Sequence, residues 1–404
     1  MNSLLGKRIL LGVSGGIAAY KSADLVRKLR ERGADARVVM TRSACEFITP
    51  LTMQAVSGKP VHVELLDYKA EGAMGHIDLA RWADMILVAP ASANFMSRVA
   101  QGQADDLLST LCLAASVPVI MAPAMNQQMW LNPATQRNVA LLKDYQVTLL
   151  GPGVGDQACG ETGPGRMLEP LELIDALAKS FLSDRMSGLK VVVTAGPTRE
   201  AIDPVRYISN RSSGRMGYAV ARAASEAGGH VVLVSGPTAI DPPEHVRHCP
   251  VITAAEMHNS VMAEIDDAAI FIAAAAVADY RCNQAADKKI KKDNDELELL
   301  LKKTPDILAA VANRKLPPFT VGFAAETHSL SDYAQQKLIN KKLDMVAANQ
   351  VGENQGFDTK DNELEVFWSG GGVRLERAPK EKLARQLIHL IANRYHEKNT
   401  AQAH

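Results

Sequence analysis

The chain reads ILLGVSGGIAAYKSADLVRKLRER from Ile9 to Arg32. This stretch is an apolar run (9–13), a serine and glycine turn, and a segment whose apolar residues recur with helical spacing (18–32). Similar apolar runs follow at 36–40, 85–89, 117–122 and 147–150, with helical segments between them. Parallel strands that are buried on both faces have this continuous apolar character. The alternation therefore predicts a doubly wound α/β domain with its functional residues at the carboxyl ends of the strands.

A second alternation begins after the polar segment Ser183–Gly188. Apolar runs at 189–194, 231–235 and 269–275 accompany a helical segment at 217–227. The sequence thus predicts two doubly wound α/β domains, 1–188 and 189–404, the first flavodoxin-like or Rossmann-like and the second Rossmann-like. No residue-by-residue repeat relates them, which indicates distinct domains.

Charge and composition restrict the function classes. The 404 residues include 45 Lys plus Arg and 45 Asp plus Glu, so no net field attracts nucleic acid or a membrane surface. The longest nearly uninterrupted apolar stretch, 268–278, is too short to span a bilayer. The five cysteines are widely spaced and form no C-x-x-C pair, which argues against a disulfide framework or a zinc site. We expect a cytoplasmic protein whose partners are small molecules or copies of itself.

Three strand ends of the first domain suggest a nucleotide-like site. The turn at 12–16 opens a helix, whose free N–H groups and dipole suit a phosphate. Its spacing is not G-x-G-x-x-G and the second strand ends in Thr41-Arg42, so the NAD fingerprint is missing. The segments PASANF (90–95) and PAMNQQMW (123–130) place small residues and an asparagine after two further strands, which leaves room for a flat ring.

Two residues of the first domain are candidates for proton transfer. Cys159 lies in GPGVGDQACGETGPGRM (151–167), which we expect to be a mobile loop because ordered glycine loses much backbone entropy. A lid with a reactive thiol and a disordered connector with an incidental cysteine are both compatible with it. His76 begins a helical segment, where it is either a cap or surface residue or an acid/base group.

The second domain contains two glycine-bearing turns, in VVVTAGPTRE (191–200) and DPVRYISNRSSGRMG (203–217), that could hold a phosphorylated substrate. The segments AAAAVADY (273–280), DKKIKK (287–292), TPDIL (304–308), VGFAAET (321–327) and KLINKK (337–342) follow. The lysines are either a solvated surface or, together with Asp279, a site for a triphosphate and its metal.

Five motifs of the first domain, taken in order, resemble the flavin-dependent cysteine decarboxylases over residues 1–180. They are GVSGGIAAYK (12–21), GHIDLARWAD (75–84), PASAN (90–94), PAMNQQMW (123–130) and ACGETGPGRM (158–167). The resemblance implies an FMN cofactor, His76 as the catalytic base, Asn126 as the residue that holds the substrate carboxylate, and Cys159 as the proton donor. The flavin contacts it implies are Gly12, Ser14, Gly15, Gly16, Thr41, Ser43, Ala91, Ser92, Ala93, Asn94 and Ser109. Phe95 departs from the family, in which threonine is frequent at this position.

The second-domain motifs resemble the ligase half of the bifunctional coenzyme A biosynthesis proteins over roughly residues 189–395. That family implies that CTP with Mg²⁺ activates 4'-phosphopantothenate as an acyl cytidylate, from which the amine of L-cysteine displaces CMP. Asn210 and Arg206 would face the phosphopantothenate or its acyl intermediate, and Lys289 would aid the second half-reaction. The implied CTP contacts are Ala273, Ala274, Ala275, Asp279, Lys289, Pro305, Asp306, Ile307, Leu308, Phe323, Lys337 and Lys341. Arg215 stands where lysine is frequent in the family; the metal ligands are not identified.

The two resemblances together imply a two-step enzyme of coenzyme A biosynthesis, which ligates cysteine and then decarboxylates the product to 4'-phosphopantetheine. They also imply a homo-oligomer, with trimer-based decarboxylase and dimeric ligase halves. Two alternatives are an NADP-dependent reductase, which would use the first glycine turn and Arg42, and a flavin-binding regulatory subunit.

Overall fold

A computed structural model describes residues 4–65, 76–158, 160–291, 297–326, 330–350 and 361–402. The chain divides into two compact units, Met1–Phe181 and Leu182–His404. Backbone N–H groups of Ser183 and Met186 donate to the carbonyls of Glu226 and Ala227, so residues 182–188 pack with the second unit. The unit boundary therefore precedes the predicted boundary at residue 188.

The first unit contains a six-stranded parallel sheet in the order β3-β2-β1-β4-β5-β6. Its strands are β1 (Arg8–Val13), β2 (Asp35–Met40), β3 (Val61–His62), β4 (Met85–Ala91), β5 (Val119–Pro123) and β6 (Thr148–Leu149). With the two-residue β3 this is the Rossmann strand order, and without β3 it is the flavodoxin order. In both orders the chain adds β2 on one side of β1 and β4 on the other, so the order of the strands reverses between β1 and β4. The predicted doubly wound α/β fold is confirmed.

Helices cover both faces of this sheet. They are a 3₁₀ turn (Ile17–Ala19), α1 (Tyr20–Glu31), α2 (Arg42–Cys45), α3 (Pro50–Ser57), α4 (His76–Trp82), α5 (Ala93–Ala100), α6 (Leu107–Leu113), α7 (Gln127–Leu131), α8 (Pro133–Asp144) and α9 (Pro170–Ser180). One apolar core includes residues of α1, α3 and α9, and the other includes residues of α4, α5, α6 and α8. Polar side chains at the strand ends, such as Thr41 and Ser92, accept from the first backbone N–H groups of α2 and α5.

The glycine-rich segment at 151–167 contains two strands in its described residues, where the sequence predicted a loop. It forms an antiparallel hairpin of β7 (Gly153–Asp156) and β8 (Thr162–Arg166). A side chain at Gly165 would overlap the carbonyl oxygen of Met125, and Met125 N–H donates to the Gly165 carbonyl at 2.9 Å. Glycine is required here because the hairpin backbone lies directly against a neighbouring loop, a close approach that glycine permits without any loss of order.

The second unit contains an eight-stranded sheet in the order β13-β12-β9-β14-β17-β18-β19-β20. These strands are β9 (Lys190–Ala195), β12 (His230–Ser235), β13 (Arg247–Pro250), β14 (Ile270–Ala273), β17 (Phe319–Glu326), β18 (Met345–Gln350), β19 (Asp361–Trp368) and β20 (Gly371–Pro379). The first six are parallel and follow the strand order of the first unit, whereas β19 and β20 are antiparallel additions. The predicted Rossmann-like second domain is confirmed.

The described residues of this unit also form two antiparallel strand pairs and five helices. The pairs are the hairpin of β10 (Arg199–Ala201) with β11 (Tyr207–Ser209), and β15 (Tyr280–Cys282) with β16 (Leu301–Lys303). The helices are α10 (Arg215–Glu226), α11 (Ala254–Glu264), α12 (Ile307–Ala312), α13 (Leu330–Asn340) and α14 (Lys380–Gln402). No helix in the described part of the chain is long and apolar enough to cross a membrane.

The packing of α10 against β9 generates a stability prediction. A Cβ on Gly217 would lie 2.5 Å from the Cβ of Ala195 and 3.0 Å from its Cα. Neither atom can move without displacing the central strand, so Gly217→Val should destabilise the second unit by about 2 kcal/mol or more. Urea unfolding followed by circular dichroism measures the change. Ser225→Val, in the same helix and only half-buried, serves as the control; an equal effect of both substitutions would contradict this packing argument.

Candidate functional sites

The predicted flavin residues of the first unit gather where β1 and β4 end side by side. Ser14 follows β1, and its hydroxyl donates to the carbonyl of Pro90 at 2.9 Å. The same hydroxyl accepts from the backbone N–H of Ser92 at 2.9 Å. Ser14 therefore joins the first glycine turn (12–16) to the PASAN turn (90–94) through two hydrogen bonds.

The turn after β1 lies against the turn after β2. A Cβ on Gly15 would lie 2.6 Å from Ser43 Oγ, and Ser43 Oγ lies 3.0 Å from Thr41 Oγ1. Gly16 faces open space, because a Cβ added there would have no heavy atom of the described chain within 4 Å beyond its immediate neighbours. The first backbone N–H groups of the 3₁₀ turn follow directly, and the first N–H groups of a helical segment have no intrahelical partner, whereas Ala19 and Tyr20 donate to the carbonyls of Gly16 and Ile17. This arrangement suits an anionic group outside Gly16.

Other predicted flavin contacts differ in exposure. Ala91 is buried at the end of β4, while Ala93 and the exposed Asn94 begin α5. Gly12 packs against the Leu108 side chain, and the buried Ser109 hydroxyl donates to Asp106 Oδ1 at 2.8 Å within the capping box of α6. Gly12 therefore packs against α6, and the Ser109 hydroxyl is hydrogen-bonded at the start of the same helix.

Two motif residues have structural partners instead of a place at the turn. Lys21 is buried and donates to Glu169 Oε1 at 2.6 Å, which joins α1 to the start of α9. This bond holds the pKa of the Glu169 carboxyl below its usual value. Phe95 lies in the apolar core, with the Arg98 guanidinium 5.5 Å from its ring centroid. At this position, where threonine is frequent in the family, the chain therefore has a core aromatic ring and no hydroxyl.

Asn126 lies under the β7–β8 hairpin. Its Oδ1 accepts from Gln128 N–H at 2.8 Å, and its Nδ2 donates to Glu161 Oε2 at 2.7 Å. Gln157 Oε1 accepts from the backbone N–H of Gln127 at 3.0 Å. Gln157 and Glu161 flank Cys159, which itself lies outside the described residues. Sequence reasoning missed both, since an amide and an acid in a glycine-rich segment give no local signal of a long-range contact.

His76 is the first residue of α4. Its side chain, like Cys159, lies outside what the structure describes, so the proton-transfer roles of both residues stay predictions.

The second unit has a cavity of about 510 Å³ between the start of α10 and the ends of β14 and β17. Six predicted residues line it: Asn210, Ala274, Ala275, Asp279, Phe323 and Lys337. Four cationic side chains (Arg211, Arg215, Lys337 and Lys380) and one acidic side chain (Asp279) contribute to the lining. The cavity thus favours an anionic ligand, and Arg215 retains its positive charge at the position where lysine is frequent.

Local bonds set the shape of this cavity. Asn210 Nδ2 donates to the carbonyl of Val277 at 2.8 Å, and Thr194 Oγ1 accepts from Ala275 N–H at 3.3 Å. Lys337 Nζ donates to the carbonyl of Phe323 at 2.6 Å. The lining residues Asn349, Asn362 and Lys380 were missed. Asn349 ends an apolar strand and could have been found by analogy with Asn94 and Asn126.

The remaining predicted nucleotide residues lie outside this lining. Asp306 caps α12 by accepting from Ala309 N–H at 3.0 Å, and it pairs with Lys341 at 2.8 Å. Burial raises the pKa of the Asp306 carboxyl, but the bonds from Lys341 and Ala309 outweigh it and leave the pKa lowered. Ala273 ends β14, Pro305 is exposed, and Ile307 and Leu308 are buried in the core beneath α12. Lys289 is exposed, and Arg206 pairs with Asp203.

The sequence did not identify metal ligands. Within the described ranges, no group of three or more His, Cys, Asp or Glu side chains is arranged to hold a metal ion.

Comparison with known proteins finds one family model for each of the two units. The Flavoprotein family model matches residues 2–182, and the model of the DNA/pantothenate metabolism flavoprotein C-terminal domain matches residues 186–395. The chain is 54% identical over 398 residues to the coenzyme A biosynthesis bifunctional protein CoaBC of Vibrio cholerae, covering 97% of this chain and 99% of that protein. It is 52% identical to the Escherichia coli CoaBC over 403 residues, covering 98% and 99%. The Bacillus subtilis CoaBC is 43% identical over 376 residues, covering 92% and 93%.

The chain belongs to the family of bifunctional coenzyme A biosynthesis proteins. It is a bifunctional enzyme of coenzyme A biosynthesis, with a decarboxylase domain of the flavoprotein type followed by a ligase domain. The family prediction and the prediction of an enzyme are confirmed, and neither the reductase nor the regulatory subunit is favoured.

A further cavity of about 520 Å³ in the first unit adjoins the residues that begin β5 and β6, and its lining includes Ser109 and Cys112. Burial raises the pKa of the Cys112 thiol to about 12. Because the thiolate is the reactive form, Cys112 should be alkylated at pH 8 on the order of a hundredfold more slowly than free glutathione. Timed iodoacetamide labelling with peptide mass spectrometry measures the rate. Labelling as fast as glutathione would contradict the raised pKa of this half-buried thiol.

Proposed function

We propose that the second unit ligates L-cysteine to 4'-phosphopantothenate with consumption of CTP and Mg²⁺, and that the first unit decarboxylates the product with FMN. The observation that carries this proposal is an arrangement that both sheets share at the carboxyl ends of their parallel strands. We call this region the first edge in the first unit and the second edge in the second unit. Each sheet has a glycine-bearing turn at the point where its strand order reverses, and the second edge adds a cationic cavity. In open α/β sheets, ligands bind at such a point.

The residues at the first edge fit an FMN phosphate. The Gly15 backbone is held against Ser43, Gly16 is open on its outer side, and the 3₁₀ turn that follows begins with N–H groups of the kind that bind a phosphate. When bound, FMN would accept two electrons from the thiol-bearing carbon of the substrate and later return them. With that carbon oxidised, sulfur would be able to take up the electron pair that departing CO₂ leaves behind.

Asn126 is suited to bind the substrate carboxylate. Its Oδ1 accepts from Gln128 N–H, which fixes the orientation of the amide and directs the Nδ2 donor towards the hairpin. A substrate carboxylate at that place would accept the bond that Glu161 now accepts. His76 as base and Cys159 as proton donor rest on the family resemblance.

The second cavity suits a nucleoside triphosphate and a phosphorylated acid. Its cationic side chains offset the charge of the phosphates, and the small residues Ala274 and Ala275 leave room for a ligand beside Phe323. Mg²⁺ would enter with the nucleotide, because it is usually held largely by phosphate oxygens and water. We further propose a cytoplasmic homo-oligomer with trimer-based decarboxylase and dimeric ligase halves, which analytical ultracentrifugation of the full chain tests.

The reductase alternative has less support at the first edge. Arg42, which would have to bind a 2'-phosphate, donates to both carboxylate oxygens of Glu64 at 3.2 and 2.7 Å. Incubation of the full chain with 4'-phosphopantothenate, cysteine, CTP and Mg²⁺ tests the leading proposal. It should yield 4'-phosphopantetheine, CMP, pyrophosphate and CO₂ by mass spectrometry, and absence of the amide product would contradict it.

Cys159→Ser should separate CO₂ release from product formation. Serine keeps the size of the side chain, but its hydroxyl is a far weaker acid than a thiol, whose reference pKa is about 8.5. With 4'-phosphopantothenoylcysteine under anaerobic conditions, we expect CO₂ and an accumulated enethiol but little aminothiol. His76→Asn should instead stop the reaction before CO₂ leaves. Cys249→Ser is the control, and normal aminothiol formation by the Cys159 variant would refute the proton-donor role.

Lys289→Gln should separate the two steps of the ligase. If Lys289 acts after carboxylate activation, CTP should still yield pyrophosphate and acyl cytidylate, whereas amide formation should fall by a factor on the order of a hundred. Quenched-flow mass spectrometry follows both products. Lys288→Gln, the exposed neighbour, should leave both steps intact. Equal loss of both steps in the Lys289 variant would assign the lysine to nucleotide binding.

A further inference from the structure

Asp203 begins the segment 203–217, and the sequence assigned it no role; it is a buried carboxylate in the turn between β10 and β11. Its side chain has no exposed surface, although it carries a charge. Its Oδ1 accepts from the backbone N–H groups of Val205 and Arg206, each at 2.8 Å. A fully buried charge of this kind requires a dense set of donors to offset its lost hydration.

The second carboxylate oxygen of Asp203 reaches a distant part of the chain. Oδ2 accepts from Arg206 Nε at 2.9 Å and Nη2 at 2.6 Å, and also from the backbone N–H of Ile290 at 3.2 Å. Arg206 Nη2 in turn donates to the carbonyl of Ile290 at 3.0 Å. Both polar backbone groups of Ile290 are therefore bound by one ion pair in the β10–β11 turn. The Arg206 guanidinium holds the pKa of the Asp203 carboxyl well below its usual range, so the pair stays charged at neutral pH.

A second bond anchors the other end of the same segment. The Ala286 N–H donates to the carbonyl of Ile202 at 2.9 Å, one residue before Asp203. Residues 287–289 between these two anchors are exposed and gain no support from the core. Lys289 precedes Ile290 directly, so its backbone position depends on the contacts of its neighbours.

The β10–β11 hairpin also leads to the cavity. Strand β11 ends at Ser209, whose hydroxyl donates to the Thr198 carbonyl at 2.7 Å, and Asn210 follows with its bond to Val277. One hairpin thus leads to Asn210 and also contains the Asp203–Arg206 ion pair, which binds the segment 286–290 (the lysine segment) at Ile290. We propose that Asp203 is a positioning residue of the ligase, which fixes the segment 286–290, and with it Lys289, relative to Asn210. This inference rests on the proposed role of Lys289 and adds the group that holds it in place.

Asp203→Asn in the full chain tests the proposal, because it keeps the size of the side chain but removes the charge and sets an N–H₂ group against donors. Hydrogen–deuterium exchange should quicken in peptides covering 284–291 on the order of ten- to a hundredfold. Amide formation should fall by a similar factor while pyrophosphate release from CTP changes by less than about twofold. Asp241→Asn, at an exposed loop position, should change none of these.

Unchanged exchange at 284–291 would overturn the proposal. Faster exchange with normal amide formation would overturn it too, and Lys289→Gln then shows whether the proposed role of the lysine fails as well. If Asp203→Asn prevents folding, as judged by circular dichroism, Arg206→Lys replaces it: that variant keeps the buried charge neutralised but loses the fork to Asp203 and Ile290. It should show the same faster exchange and the same selective loss of amide formation, and failure to do so overturns the proposal.

Discussion

Parallel pairing of one central strand with two neighbours is the constraint on which both halves of this enzyme depend. In the first unit Leu11 lies opposite Val38 on one side and Leu87 on the other. In the second unit Val193 lies opposite Leu233 and Ile272. Because parallel strands all run in one direction, their carboxyl ends meet at one edge of the sheet. Helices cover the faces, so the turns at that edge are where polar groups can face a ligand.

Side-chain to backbone hydrogen bonds then give these edges a defined shape. Ser14 joins the turns after β1 and β4, and Thr194 and Asn210 do the corresponding work in the second unit. Each bond links residues more than 60 positions apart in the sequence. A turn fixed in this way loses little further freedom when a ligand binds, which favours binding.

Segments that leave the sheet are held by the same kind of contact. The β7–β8 hairpin is bound to the Asn126 loop through Gln157 and Glu161, and the lysine segment is bound to the β10–β11 turn through Asp203 and Arg206. Val154 of the hairpin and residues 287–289 of the lysine segment are exposed, so they gain little from apolar packing. Charged and amide groups therefore supply the order that the core supplies elsewhere.

The sequence by itself determined the parts of this enzyme that depend on local signals. Continuous apolar runs located β1, β2, β4, β5 and β6 of the first sheet and β9, β12 and β14 of the second. The family motifs pointed to six residues that line the second cavity, from Asn210 to Lys337. Tertiary structure alone decided the rest. It converted the expected loop at 151–167 into a hairpin, added the antiparallel strands β19 and β20, and brought Lys380 and Asn362 to the cavity. It also turned Arg206 towards Asp203 and Ile290. These features depend on contacts between residues far apart in the chain, and neither periodicity nor turn composition records which distant backbone a side chain will meet.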